Sequence, residues 1–202
     1  MSIAVKERGV SFNGDMVRAI LDDRKTNSRR PLKLNKSHSE LDPDCRPLWP
    51  TWECEYGDCH PYESPFGKPG DRIWVRESWA TDKVYDSTPP IQIDAAASVK
   101  WLADNAKRVN GPENWGKKRV SIHMPRWASR ITLEVKRVWV ERIQDISPED
   151  IWKEGITHDP EKYGSIVHTF EDLWNSIYGT WDENPWAYCC EFEKLDRQEN
   201  GL

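Results

Sequence analysis

Apolar residues alternate with polar ones at Ile131, Leu133 and Val135; beyond Lys136-Arg137 the alternation resumes one position out of phase, at Val138 and Val140. Side chains change face at every step along a strand, so one buried face can survive such a phase change only if an extra residue is inserted, as in a β-bulge. Bulges bend strands, and strongly bent strands belong to small barrels rather than flat sheets. The pattern therefore predicts an α+β fold centred on a small β-barrel.

Other segments fit around that strand. Trp186, Tyr188, Cys190 and Phe192 share one face of a last strand over 186–193, and Phe66-Gly67-Lys68-Pro69-Gly70 reads as a turn feeding a strand at Arg72-Ile73-Trp74-Val75-Arg76. Helices are predicted at 15–23, where Asn13 or Asp15 can cap, at 148–154, opened by Ser147-Pro148 and closed by Gly155, and at 169–178, opened by His168 or Thr169. A short helix is also predicted within Asp94 to Val109. Long insertions are expected at about 33–70 and 80–118, with loose ends at 1–9 and 196–202, leaving a single domain over 10–195.

A length of 202 residues suits one domain with an ample core. The net charge of −5 argues against a general polyanion binder, because nonspecific affinity grows with the number of phosphates neutralised. Any nucleic-acid contact must be local. Twelve tryptophans point to a core built on aromatic rings, with a minority free to stack on bases. No apolar run is long enough to span a bilayer, no signal-peptide pattern opens the chain, and five cysteines suit a reducing compartment. A cytosolic protein, without membrane contact, is the expectation.

The densest chemistry lies in Asp23-Arg24-Lys25-Thr26-Asn27-Ser28-Arg29-Arg30, which follows the first helix. Cations are favoured at a helix C-terminus, so the stretch suits an anionic or polar ligand. A serine hydroxyl becomes nucleophilic only when a base takes its proton, and Lys25 could serve if burial and the cations of Arg29 and Arg30 depress its pKa. Together with Phe66 to Trp79, Ser121-Ile122-His123-Met124-Pro125-Arg126-Trp127-Ala128 and Ile143 to Ser147, this stretch resembles the ASCH family of PUA-like β-barrel domains. The chain is most similar to uncharacterised ASCH-type proteins of phages and prophages, in order from about Val10 to Leu195.

Some small enzymes of that family are amidohydrolases that remove an acyl group from N4-acylated cytidine with a lysine, a threonine three residues later and a glutamate. The resemblance implies Lys25 as base, Ser28 at the threonine position and Glu154 as the carboxylate that helps the amine leave. Two departures stand out: Ser28 lacks the methyl that fixes a threonine rotamer, and Asp23 occupies a position where relatives often carry glycine. The family also implies binding of RNA, DNA, a nucleobase or a modified nucleoside in a cleft beside the barrel. Lys25, Arg29 and Arg30 would line one side of it, with Trp74, Arg76, His123 and Arg126 also in the site, Lys117-Lys118-Arg119 nearby, and Trp74, Trp79 or Trp127 as stacking platform.

No cofactor is implied. Cys45, Cys54, Cys59 and His60 are of the right type for zinc, but their spacings are poor, since Cys45 is remote and Cys59 adjoins His60. Cys189 and Cys190, adjacent in a strand, point to opposite faces. A further alternative is an accessory protein that grips a host protein through Trp-rich loops such as Trp49 to Trp52, since tryptophan anchors interfaces.

Overall fold

The structure, a computed structural model, describes residues 5–32, 47–48, 51–52, 64–107 and 114–195. In chain order its elements are β1 (Glu7–Ser11), α1 (Gly14–Leu21), β2 (Asn27–Pro31), the two-residue strands β3 (Pro47–Leu48) and β4 (Thr51–Trp52), β5 (Arg72–Arg76), β6 (Trp79–Ala80), β7 (Lys100–Trp101), β8 (Thr132–Arg142), α2 (Pro148–Lys153), α3 (Pro160–Tyr163), α4 (Ile166–Ile177) and β9 (Trp186–Lys194). Five strands form one mixed sheet in the order β1-β5-β8-β9-β2, with β1 parallel to β5 and the other pairs antiparallel. The α+β class is as the sequence implies.

The phase change in β8 appears as a register shift between Val135 and Arg137 against β9. Because of it, Leu133, Val135 and Val138 all enter one core, with Tyr188, Cys190 and Phe192 of β9, Ile73 and Val75 of β5, Val10 of β1, and Val17 and Ile20 of α1. Each such aliphatic side chain contributes roughly 1.5–3 kcal/mol by leaving water. The outer strands β1 and β2 are joined by a side chain rather than a ladder: Arg30 of β2 donates to the Ser11 carbonyl at the end of β1.

A second cluster covers the opposite face of β9. Ile151 of α2, Phe170 and Trp174 of α4, Trp181 and Ile143 pack there against Ala187 and Cys189. A third cluster, Trp79, Ile93, Ala97, Val99, Trp101, Met124 and Ala128, gives the segment after β5 a small core of its own. Among the described residues no helix is long and apolar enough to cross a membrane.

Three expectations are corrected, and one further element was not anticipated. The segment from Asp94 forms a turn and then β7 instead of a helix: the Asp94 carboxylate accepts the Ala96 N–H, and Asp82 accepts that of Ser98. Such local bonds compete with helix formation, and Val99 and Trp101 are buried in the third cluster instead. Helix α4 begins at Ile166, three residues before the expected start, because Ser165 caps it by accepting the His168 N–H. Asp159-Pro160 starts α3, a short helix the periodicity does not reveal. Finally, residues 7–9 belong to β1, a strand whose single buried residue, Val10, leaves little pattern to read. Most of the expected 33–70 insertion lies outside the described residues.

Candidate functional site

Two short helices bring the site together. Asn13 caps α1 by accepting the Met16 N–H at 2.9 Å. The chain then leaves α1 through Asp23 at φ 58°, and the N–H groups of Arg24 and Lys25 both donate to the Ala19 carbonyl. This turn aims Lys25 across at the end of α2. There Ser147 accepts the Asp150 N–H at 3.1 Å, Pro148 fills the first turn, and Glu154 is the C-terminal cap. A backbone bridge pairs Lys25 with Glu154, and Thr26 N–H donates to the Lys153 carbonyl at 2.8 Å. Because α2 is six residues long, its cap carries a large share of its stability. Ser147→Ala should cost about 1 kcal/mol in urea denaturation, and an unchanged midpoint would contradict this account of how Glu154 is positioned.

Lys25 is 2 % exposed and Glu154 5 %. The Lys25 ammonium donates to the Glu154 carboxylate at 2.6 Å and to the Glu154 carbonyl at 3.0 Å. The other Glu154 oxygen accepts from Arg29 at 2.9 Å, and Arg29 also pairs with Glu141 at 2.7 Å and Asp150 at 3.1 Å. Asn27 donates to Asp150, and the Trp139 indole N–H to Glu141. Two buried cations thus face three carboxylates, of which Glu154 is buried and Glu141 and Asp150 are partly exposed. Burial pulls the Lys25 pKa below its ordinary value, although Glu154 opposes the shift. For Arg29 burial works in the same direction, but Glu154, Cys189 and Glu141 outweigh it and raise its pKa. Burial also holds the neighbouring Cys189 thiol well above its normal range, which keeps it protonated and inert.

Strand alternation separates the remaining candidates. Ser28 pairs with Cys190 and Arg30 with Tyr188, both residues of the interior core, whereas Arg29 pairs with Cys189 on the helix-covered face. Ser28 is buried, and among the described residues no hydrogen bond joins it to Lys25 or Glu154. Lys25, Arg29 and Glu154 are therefore brought together; Ser28 lies across the strand from them. Arg30 donates to the Tyr178 hydroxyl and, as above, to Ser11.

Trp74 and Arg76 share the outer face of β5, with Arg76 over the Trp74 ring at 5.6 Å. Arg126 pairs with Glu7 at 2.8 Å, and His123 is exposed in a turn of 3-10 helix. Arg119 is buried and donates to the Thr88 and Tyr85 carbonyls. Trp79 is fully buried, with the Trp127 ring edge-on at 6.0 Å, so its expected role as a stacking platform is withdrawn. Cys45, Cys54, Cys59, His60 and Trp49 lie outside the described residues. Cys189 and Cys190 are free and buried, and among the described residues no group of metal-binding side chains is assembled.

Beside the buried pair a cavity of about 640 Å³ opens between α1, the chain after α2, and α4. It is lined by Glu154, Gly155 and Thr157 after α2, by Asn13, Asp15, Arg18, Asp22 and Arg24 in and around α1, and by Thr169, Asp172, Leu173 and Ser176 of α4. Arg18 pairs with Asp15 and Arg24 with Asp22, while Asp172 makes no ion pair among the described residues. The α4 wall was missed in the sequence because Thr169, Asp172 and Ser176 read there as an ordinary polar helix face.

No family model matches the chain, and no curated protein matches it. Among solved structures it is similar to protein EF3133 from Enterococcus faecalis V583, described as family DUF984, at 9% identity and a TM-score of 0.42 over 97% of this chain and 84% of that one. A likeness this slight carries neither fold nor function across.

Proposed function

We propose that the chain is an ASCH-type domain, its curled sheet a PUA-like barrel, that binds a nucleobase or nucleoside in the cavity between α1 and α4. The observation that carries this reading is the cavity itself, large enough for a nucleoside and lined in part by a glutamate whose carboxylate is held by two buried cations. Its walls hold four carboxylates, Asp15, Asp22, Glu154 and Asp172, against two guanidiniums, Arg18 and Arg24. That balance disfavours a phosphate inside the cavity and favours a neutral ligand with amino groups. A carboxylate without an ion pair among the described residues, such as Asp172, is a natural acceptor for the exocyclic amine of cytosine or adenine. Lys25 and Arg29 act here through Glu154 and do not touch the ligand.

Titration calorimetry with cytidine, adenosine and N4-acetylcytidine tests this reading. At least one nucleoside should bind, and Ser176→Trp, which places an indole from an exposed helix position into the cavity, should abolish that binding while leaving the fold intact. Binding unaffected by the tryptophan would move the ligand elsewhere.

Hydrolysis of an N-acyl group is a second reading, favoured by one observation: burial lowers the pKa of a lysine in direct contact with a glutamate. It ranks below binding because Ser28 faces the interior core rather than Lys25. Release of cytidine from N4-acetylcytidine by the parent and not by Lys25→Met would reverse the ranking.

A further inference from the structure

Arg29 is matched by the carboxylates of Glu141, Asp150 and Glu154 and Arg130 by those of Glu77 and Asp104, whereas the buried Arg119 donates to the Thr88 and Tyr85 carbonyls. Arg30 and Arg76 also lack a carboxylate among the described residues, and unlike Arg119 they lie beside each other. Among the described residues neither makes an ion pair: Arg30 donates to the Tyr178 hydroxyl and the Ser11 carbonyl, and Arg76 to the Ile122 carbonyl at 3.3 Å.

These two guanidiniums converge on one place. Ser11 is the register partner of Arg76 across the β1–β5 pair, and Phe12 N–H donates to the Arg76 carbonyl at 3.0 Å. Arg30, crossing from the opposite edge of the sheet, reaches the same Ser11. Each is held against an aromatic face, Arg30 over Phe12 at 5.7 Å and Arg76 over Trp74 at 5.6 Å. Trp74 itself lies across Gly9, where any Cβ would fall 2.5 Å from the indole. Both guanidiniums are therefore oriented in advance. Two polar atoms at this spot, the Ser11 hydroxyl oxygen and Arg76 Nε, are shielded from solvent without a hydrogen-bond partner among the described residues.

We propose that Arg30, Arg76 and Ser11 form a binding site for a single phosphate group, between the outer strands β1 and β2. A phosphate oxygen supplies both the missing counter-charge and the missing acceptors: Arg76 Nε and a terminal nitrogen form the paired donors that match two phosphate oxygens, Arg30 supplies a second charge, and the Ser11 hydroxyl donates to a third oxygen. Burial, and next the nearby charge of Arg30, already press the Arg76 pKa downward, a conflict an anion relieves. The site is separate from the acidic cavity and does not depend on what that cavity takes. It also suits an acidic chain, because it requires one local phosphate contact and no broad basic surface.

The test is calorimetric titration of the whole protein at constant ionic strength with three probes, inorganic phosphate, cytidine 5′-monophosphate and a short single-stranded oligoribonucleotide. The expected result is saturable binding of at least one probe, weakened about tenfold or more in Arg76→Gln and also weakened in Ser11→Ala, which keeps the carbonyl that anchors Arg30. The probe that binds tightest identifies whether the phosphate arrives free, on a nucleotide or within a strand. Binding by none of the three, or binding unchanged in both folded variants, overturns the proposal.

Discussion

Glu154→Ala is expected to lower the stability of the protein by about 3–5 kcal/mol at neutral pH, the cost of leaving buried charges without a partner. The substitution deprives Lys25 of its carboxylate contact and Arg29 of one of three. Among the described residues Lys25 has no second acid to turn to, so it carries most of the penalty. The pH dependence follows from the same contact. In the native protein the Lys25 pKa already lies below its ordinary value. Between that lowered value and the ordinary one the unfolded chain binds more protons, so stability gains with rising pH. Glu154 opposes the lowering, and without it the Lys25 pKa falls further. The variant should thus regain stability from a lower pH, and its deficit against the parent should shrink between pH 7 and pH 9.5. Urea denaturation at the two pH values measures this directly. A deficit that stays constant would mean the loss is one of packing and not of charge.

Gly155→Ala is expected to be nearly as damaging, at about 2–4 kcal/mol, for a reason that involves no charge. Gly155 has φ 76°, where a side chain costs about 1–2 kcal/mol. An alanine Cβ would also lie 2.6 Å from the Ala19 Cβ and 2.7 Å from the Lys25 Cβ, with the Lys25 Cα at 3.2 Å. Two of these neighbours adjoin backbone and cannot swing aside, so α1 and the end of α2 must separate. That separation carries Lys25 away from Glu154 and widens the cavity. The variant should therefore show both a lower urea midpoint and weaker nucleoside binding, whereas Ser176→Trp should affect binding alone. An alanine variant as stable as the parent would contradict the close approach on which the site's geometry rests.

What could be read from the residues followed the strength of local signals. The β8 bulge, the face of β9 and the caps of α1 and α2 were legible because each is written in a few adjacent residues: a phase change after Lys136-Arg137, alternation from Trp186, Asn13 and Ser147. The short α3 and the turn at Asp94 were not, since four residues hold too little periodicity, and an aspartate can cap a helix or close a turn with the same side chain. The meeting of Lys25 with Glu154 came only through family resemblance, because 129 positions separate them and no spacing rule spans that distance. Strand parity explains why the basic stretch divides. Read linearly, Lys25, Ser28, Arg29 and Arg30 look like one cluster; in β2 successive side chains go to opposite faces, so Arg29 becomes an internal counter-ion and Arg30 turns to Ser11. The cavity was the least legible feature, because its walls come from three separated segments whose polar residues look like solvent-facing ones.

The most direct test of the cavity as the working site is a two-dimensional amide NMR titration with cytidine and N4-acetylcytidine. Shifts should concentrate at Asn13–Arg18, Asp22–Arg24, Glu154–Thr157 and Thr169–Ser176, stretches that line the cavity. Shifts confined to other regions, or no shift with either nucleoside at millimolar concentration, would contradict the assignment.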